Sequence, residues 1–186
     1  MLSLLEGTCF LPSCTALYPL AMPYLARLLR LLSLVVWIGG IIFFAFVMAP
    51  VAFHNLPSPH EAGIVVRGTI GILHILGFVC GGLFLAGTLF LLAPSTARTK
   101  SNLLAQGVLV ALMLVVTAVS QFLVIAPMES HRLEAGGIIE SVPPTNPARI
   151  HFERLHLLSE RLEGAVLFLG LGVCLLLARR LDEAPY

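Results

Sequence analysis

Most of the chemistry available to this sequence lies in six histidines, His54, His60, His74, His131, His151 and His156. Imidazole ligates metals and haem iron and moves protons near neutral pH, so its placement is weighed first. Glu153-x-x-His156 has the one-turn spacing with which di-iron bundles bring a carboxylate and an imidazole to one metal. The same helical stripe continues through Glu160 and Glu163, with Ser159 nearby and Arg154 and Arg161 on the other side. The plainer account of that acidic stripe is a helix end reaching into water, paired with its neighbours at i,i+4. Around His74 the stripe reads Arg67, Gly71, Gly77 and Gly81. These glycines suit close helix packing, or a slot beside the imidazole that would admit the edge of a macrocycle.

Two cofactor chemistries are open to these residues. Axial ligation of haem b by His74 and His156, with Arg67 or Arg154 near the propionates, is the first expectation. The carboxylates favour instead a divalent transition metal such as zinc, manganese or iron, for which His60, His74, His156, Glu160 and Glu163 are the candidate ligands. A chain binding neither would use its histidines at the membrane interface or in proton handling.

These side chains must be held by membrane helices. Only 11% of the 186 residues are charged, 58% are hydrophobic and the mean hydropathy is +0.97, outside the range of soluble domains. Residues 31–60, 68–97, 101–128 and 164–178 contain no Asp, Glu, Lys or Arg. A helix of about 20 apolar residues crosses a bilayer core of about 30 Å, so four spans are expected, at about 31–53, 68–92, 103–126 and 162–178. The fold class is all-α, a four-helix transmembrane bundle over residues 23–186. A net charge of +1 offers no basic face for nucleic acid. CxxC, CxxCH, HExxH and GxSxG are absent, and Cys9, Cys14, Cys80 and Cys174 are too scattered for a zinc knuckle or a disulfide framework. Residues 1–22 lack Lys and Arg, unlike a secretory signal, and read as a poorly ordered leader ahead of a true start at Met22.

Basic residues flanking the spans set the expected orientation. Arg27 and Arg30 precede span one, Arg98 and Lys100 join spans two and three, and Arg179 and Arg180 come after span four. Both termini are therefore expected in the cytoplasm, in a bacterial inner membrane. All six histidines then fall on the opposite side. At 1.5 Å per residue, Glu163 lies about 24 Å from Arg179, and His74 lies about 30 Å from Pro94. A carboxylate at that depth is a functional candidate by default.

The chain also repeats itself. Ala49-Pro50, preceded by Phe46 and followed by His54 and Leu56, matches Ala126-Pro127, preceded by Phe122 and followed by His131 and Leu133. Leu73-His74-Ile75-Leu76 matches Leu155-His156-Leu157-Leu158, and Arg67 matches Arg149 at the same offset. Two helical hairpins in parallel orientation are implied, the second enlarged near Gly136-Gly137 or Pro143-Pro144.

Trp37-Ile38-Gly39-Gly40, Ala49-Pro50, Leu56-Pro57-x-x-His60-x-x-Gly63, His74 and Phe152-x-x-Leu155-His156-x-x-Ser159 together resemble the family of domain of unknown function 4149, which includes the proteins called transmembrane protein 205. The resemblance spans roughly Leu28 to Leu177 and implies a four-helix membrane protein with no established activity. It marks His60, His74, His156 and Ser159 as its polar signature, and it commonly carries asparagine where this chain has Glu163. Three functional classes stay open: a haem- or metal-binding redox bundle, a proton-coupled carrier of a small solute or metal, and a structural accessory subunit. Expected partners are the lipid bilayer and a homo-oligomer or larger membrane complex.

Overall fold

The computed structural model describes residues 18–179, so most of the expected leader, residues 1–17, lies outside the described residues. Every long element is helical. Helix α1 (Tyr18–Phe43) runs through a π-helical segment (Phe44–Met48) into α2 (Ala49–Asn55), and α3 (Pro59–Leu92) returns. Helix α4 (Ala97–Val119) runs through a second π-helical segment (Ser120–Ile125) into α5 (Ala126–Glu134), and α6 (Pro147–Ala178) returns. Four of these continuous helices are long and apolar enough to cross a membrane: Met22–Asn55, Pro59–Leu92, Ala97–Glu134 and Pro147–Ala178. Each exceeds the expected span, because the amphipathic ends carry the helix on past the apolar block; the 34 residues of α3 reach about 51 Å.

The two π-segments share a cause. Each ends one residue before an Ala-Pro pair, Ala49-Pro50 or Ala126-Pro127. Proline has no N–H and its ring collides with the carbonyl four residues back, so one wide turn absorbs the mismatch and the helix continues. The matched wide turns fit the repeat read from the sequence. The hairpin connections differ: Leu56 to Ser58 closes the first, and Ser58 caps α3 by accepting from the Glu61 N–H at 3.2 Å. The longer second connection holds the short turn Ile139–Ser141 and leaves α5 through Gly136 and Gly137, whose φ values of +83° and +89° favour glycine. The extra residues therefore lie where the glycines and prolines placed them.

The core is built by large side chains seated on glycines. Trp37, 2% exposed, lies over Gly77, where an added Cβ would come within 2.7 Å of the indole nitrogen. Gly81 receives Leu114, and Gly170 receives Ile38. The glycines flanking His74 toward Gly81 thus serve close helix packing, and the slot considered for a macrocycle edge is occupied by Trp37 and Leu114. Around this seam Phe84, Val110, Met113, Val166 and Val173 are buried. Between 17% and 39% of the residues in each apolar window are buried within the bundle, which leaves most of the apolar surface facing lipid.

Arg30 departs from its expected place as an interfacial flank. It is 3% exposed, its guanidinium lies 4.5 Å from the centre of the Phe84 ring, and it donates to Gln106 Oε1. Gln106 in turn donates to Asn102 Oδ1 at 2.9 Å. Gly87 makes this possible, since a side chain there would strike the Arg30 stem. Arg27, one turn earlier, stays exposed as expected.

Candidate functional site

His74 is the best buried of the candidate titratable side chains, at 2% exposure. It sits on α3 three residues before Gly77, on the stripe that faces the bundle, because the glycines draw α1 and α4 against that face. Its two ring nitrogens are both engaged. Nδ1 lies 2.7 Å from Gln121 Oε1, and Nε2 lies 2.6 Å from Glu163 Oε1. Glu163, on α6, is 12% exposed and its Oε1 also accepts from the Ser120 hydroxyl at 3.5 Å. Ser120 and Gln121 are the first two residues of the second π-segment, three and four positions beyond the buried Thr117 and so on the same inner face.

The proton inventory of this cluster is defined by its chemistry. A carboxamide oxygen only accepts, so Nδ1 carries the hydrogen that it donates to Gln121. The contact between Nε2 and Glu163 then holds one hydrogen, as an imidazolium beside a carboxylate or as a neutral imidazole accepting from a carboxylic acid. Either form satisfies both groups, and such charge-assisted pairs are among the stronger hydrogen bonds. The site lies about 24 Å along α6 from Arg179, near the far end of the apolar stretch that begins at Gly164. Gain of a proton gives the pair one positive charge, and loss gives it one negative charge.

The other candidates are distributed elsewhere. His156, matched to His74 by the repeat, is 44% exposed in its side chain; it stacks near Phe152 and pairs with Glu160 one turn on, at 3.2 Å. Glu153 pairs with Arg149 at 2.8 Å, and Ser159 donates to the His156 carbonyl. The acidic stripe of α6 is therefore mostly the helix end with i,i+4 pairing, and Glu163 alone turns inward. His60 stands at the start of α3, about 21 Å along the helix from His74. The expected ligand set His60, His74, His156, Glu160 and Glu163 is thus split into two separate pairs and a lone residue, and no group of three His, Cys, Asp or Glu side chains among the described residues is arranged to hold a metal. For haem, the donor set present does not fit as it stands, because His74 has no ring nitrogen left for iron. Arg67, expected near propionates, instead pairs with Glu129, which also takes two hydrogen bonds from Arg132 at 2.6 and 2.9 Å. Arg132 further donates to the Gly137 carbonyl at 2.6 Å, so this network ties α3, α5 and the second connection together. Nearby, His131 and His151 stack with ring centres 5.1 Å apart.

Gln121, Ser120 and Glu129 were not among the candidates read from the sequence. The available signal was a neutral polar pair interrupting the apolar run 103–126 one turn before Ala-Pro. No curated protein and no solved structure matches this chain. A family model does match, over residues 32–136, which takes in His74 and Gln121 and stops short of Glu163; the chain belongs to the family described as Domain of unknown function (DUF4149).

Proposed function

We propose that this chain is a proton-coupled carrier of a small solute, with His74 and Glu163 as its proton-binding pair. One observation carries the reading: an imidazole that is 2% exposed lies 2.6 Å from a carboxylate of another helix, near one end of the apolar part of the bundle. Ionisable residues that face a membrane bundle's interior and pair with each other mark proton and ion pathways. Because the pair changes charge by one unit with each proton, a solute that binds better to one charge state than to another becomes coupled to protons. The parallel hairpins, each carrying a π-segment and proline at the matching place, supply two similar halves able to rock against each other. A redox role with haem b or a transition metal is favoured less, since the His74 ring nitrogens are committed to Gln121 and Glu163. For orientation we adopt cytoplasmic termini, which puts Arg27, Arg98, Lys100 and Arg179 on the cytoplasmic side.

The test uses purified protein in vesicles that enclose a pH-sensitive dye, challenged with a panel of small organic acids, amines and divalent cations. At least one solute is expected to move protons through the wild-type protein and to fail with Glu163→Gln. Proton movement with none of the panel overturns the carrier reading. So does a Soret band, or a stoichiometric metal, in protein purified from its native membrane and lost in His74→Ala.

A further inference from the structure

The role of Gln121 goes beyond filling space. We propose that Gln121, carried by the second π-segment, is the positioning residue that fixes the tautomer of His74 and so directs Nε2, rather than Nδ1, to the shared proton with Glu163; this rests on the reading of that pair as the proton-binding element. Neutral imidazole has two tautomers, and the one present is set by the hydrogen bond that the other nitrogen makes. Here that bond is Nδ1–H to the Gln121 carbonyl oxygen at 2.7 Å, and the carboxamide carries no charge and does not titrate.

The surroundings leave Gln121 as the group that sets this choice. Helix α6 presents Glu163 to Nε2, and the second π-segment presents Ser120 to Glu163 and Gln121 to Nδ1. Helix α1 contributes the Trp37 indole against Gly77, one turn along α3. Among the described residues, Glu163 is the one titratable or charged group in hydrogen-bond contact with His74. The π-turn bears on the geometry because its extra residue rotates the rest of the helix by about 100° around the axis, so that Ser120 and Gln121 end one register and Val124 and Ile125 begin the next. In the first hairpin the matching wide turn begins at Phe44 and contains no polar side chain. The repeat therefore supplies the backbone device twice and the acceptor once.

The experiment is ¹⁵N NMR of histidine-labelled full-length protein in lipid, with the His74 signals assigned by their loss in His74→Gln. In the wild type, Nδ1 is expected to keep the shift of a protonated nitrogen across the whole titration while Nε2 alone changes. Gln121→Leu and Gln121→Met should mix the tautomers and move the His74 midpoint by about one pH unit, whereas Gln121→Glu, which keeps an acceptor oxygen, should restore the protonated Nδ1. An unprotonated Nδ1 in neutral wild-type His74 overturns the proposal without recourse to any variant. So do Leu and Met variants whose His74 spectra match the wild type. Vesicles showing no solute-linked proton movement would remove the carrier reading, while the tautomer measurement would stand or fall separately.

Discussion

Glu163 shows how much depends on a single side chain of α6 that meets both His74 and Ser120. Replacing it with leucine leaves Nε2 of a buried imidazole without its bond, whereas glutamine has the same shape and can donate an N–H to a neutral imidazole. Glu163→Leu is therefore expected to destabilise the folded protein by about 1–3 kcal/mol and Glu163→Gln by distinctly less, measured as thermal melting in detergent; equal losses would place the carboxylate outside the packing. His74 and Glu163 were both legible in the sequence as candidates, from stripe and depth. Their partnership was not. The repeat matched His74 with His156 and so suggested two equivalent imidazoles, but the position that carries Glu163 on α6 corresponds to Gly81 on α3, where Leu114 packs. Glycine at one of the two positions and glutamate at the other breaks the equivalence, and no periodicity reports which of two similar histidines turns inward. Gln121 was harder still to see, because a neutral amide carries no charge to mark it.

At the scale of elements, the apolar blocks located the four helices because hydrophobic length is what a bilayer selects, and the glycine pair on α3 pointed to a packing seam because small residues let backbones approach. Gly77→Leu should be badly tolerated, since even a Cβ there meets the Trp37 ring. A loss of about 1–3 kcal/mol or more is expected from such overpacking, with Gly39→Leu, which meets nothing within 4 Å, as the neutral control in the same melting assay. The Arg67, Glu129 and Arg132 network is expected to hold α5 to α3 more weakly, because its members are partly exposed. Glu129→Ala should cost about 1 kcal/mol and raise hydrogen exchange over residues 126–134 while leaving α1 unchanged. The π-segments lay beyond the sequence reading: proline shows that a helix must adjust, and the surrounding packing decides whether it kinks, breaks or widens by one residue.

For the whole molecule, the basic flanks make a directional statement. Single cysteines at Lys100 and at Ser141, both exposed, in a chain whose native cysteines are replaced by serine, should be labelled by a membrane-impermeant reagent from opposite sides, with Ser141 reached from outside. Labelling from one side would break the four-span topology. Arg30 counts for less in this balance than the sequence suggested, because burial beside Phe84 and Gln106 removes it from the interface. The site's single occurrence has an electrical consequence as well. Were both hairpins equipped alike, proton sites could be spread symmetrically through the bundle; with one pair, about 6 Å from the nearer boundary of a core of about 30 Å, a proton arriving from that side crosses about one-fifth of the membrane field. At 100 mV this is worth about 0.5 kcal/mol, a change of about twofold in the proportion of protonated pairs. Acting as the proposed proton-binding pair, this buried dyad would make the bundle a weak voltmeter, whose sign reverses with the orientation of the protein in the membrane.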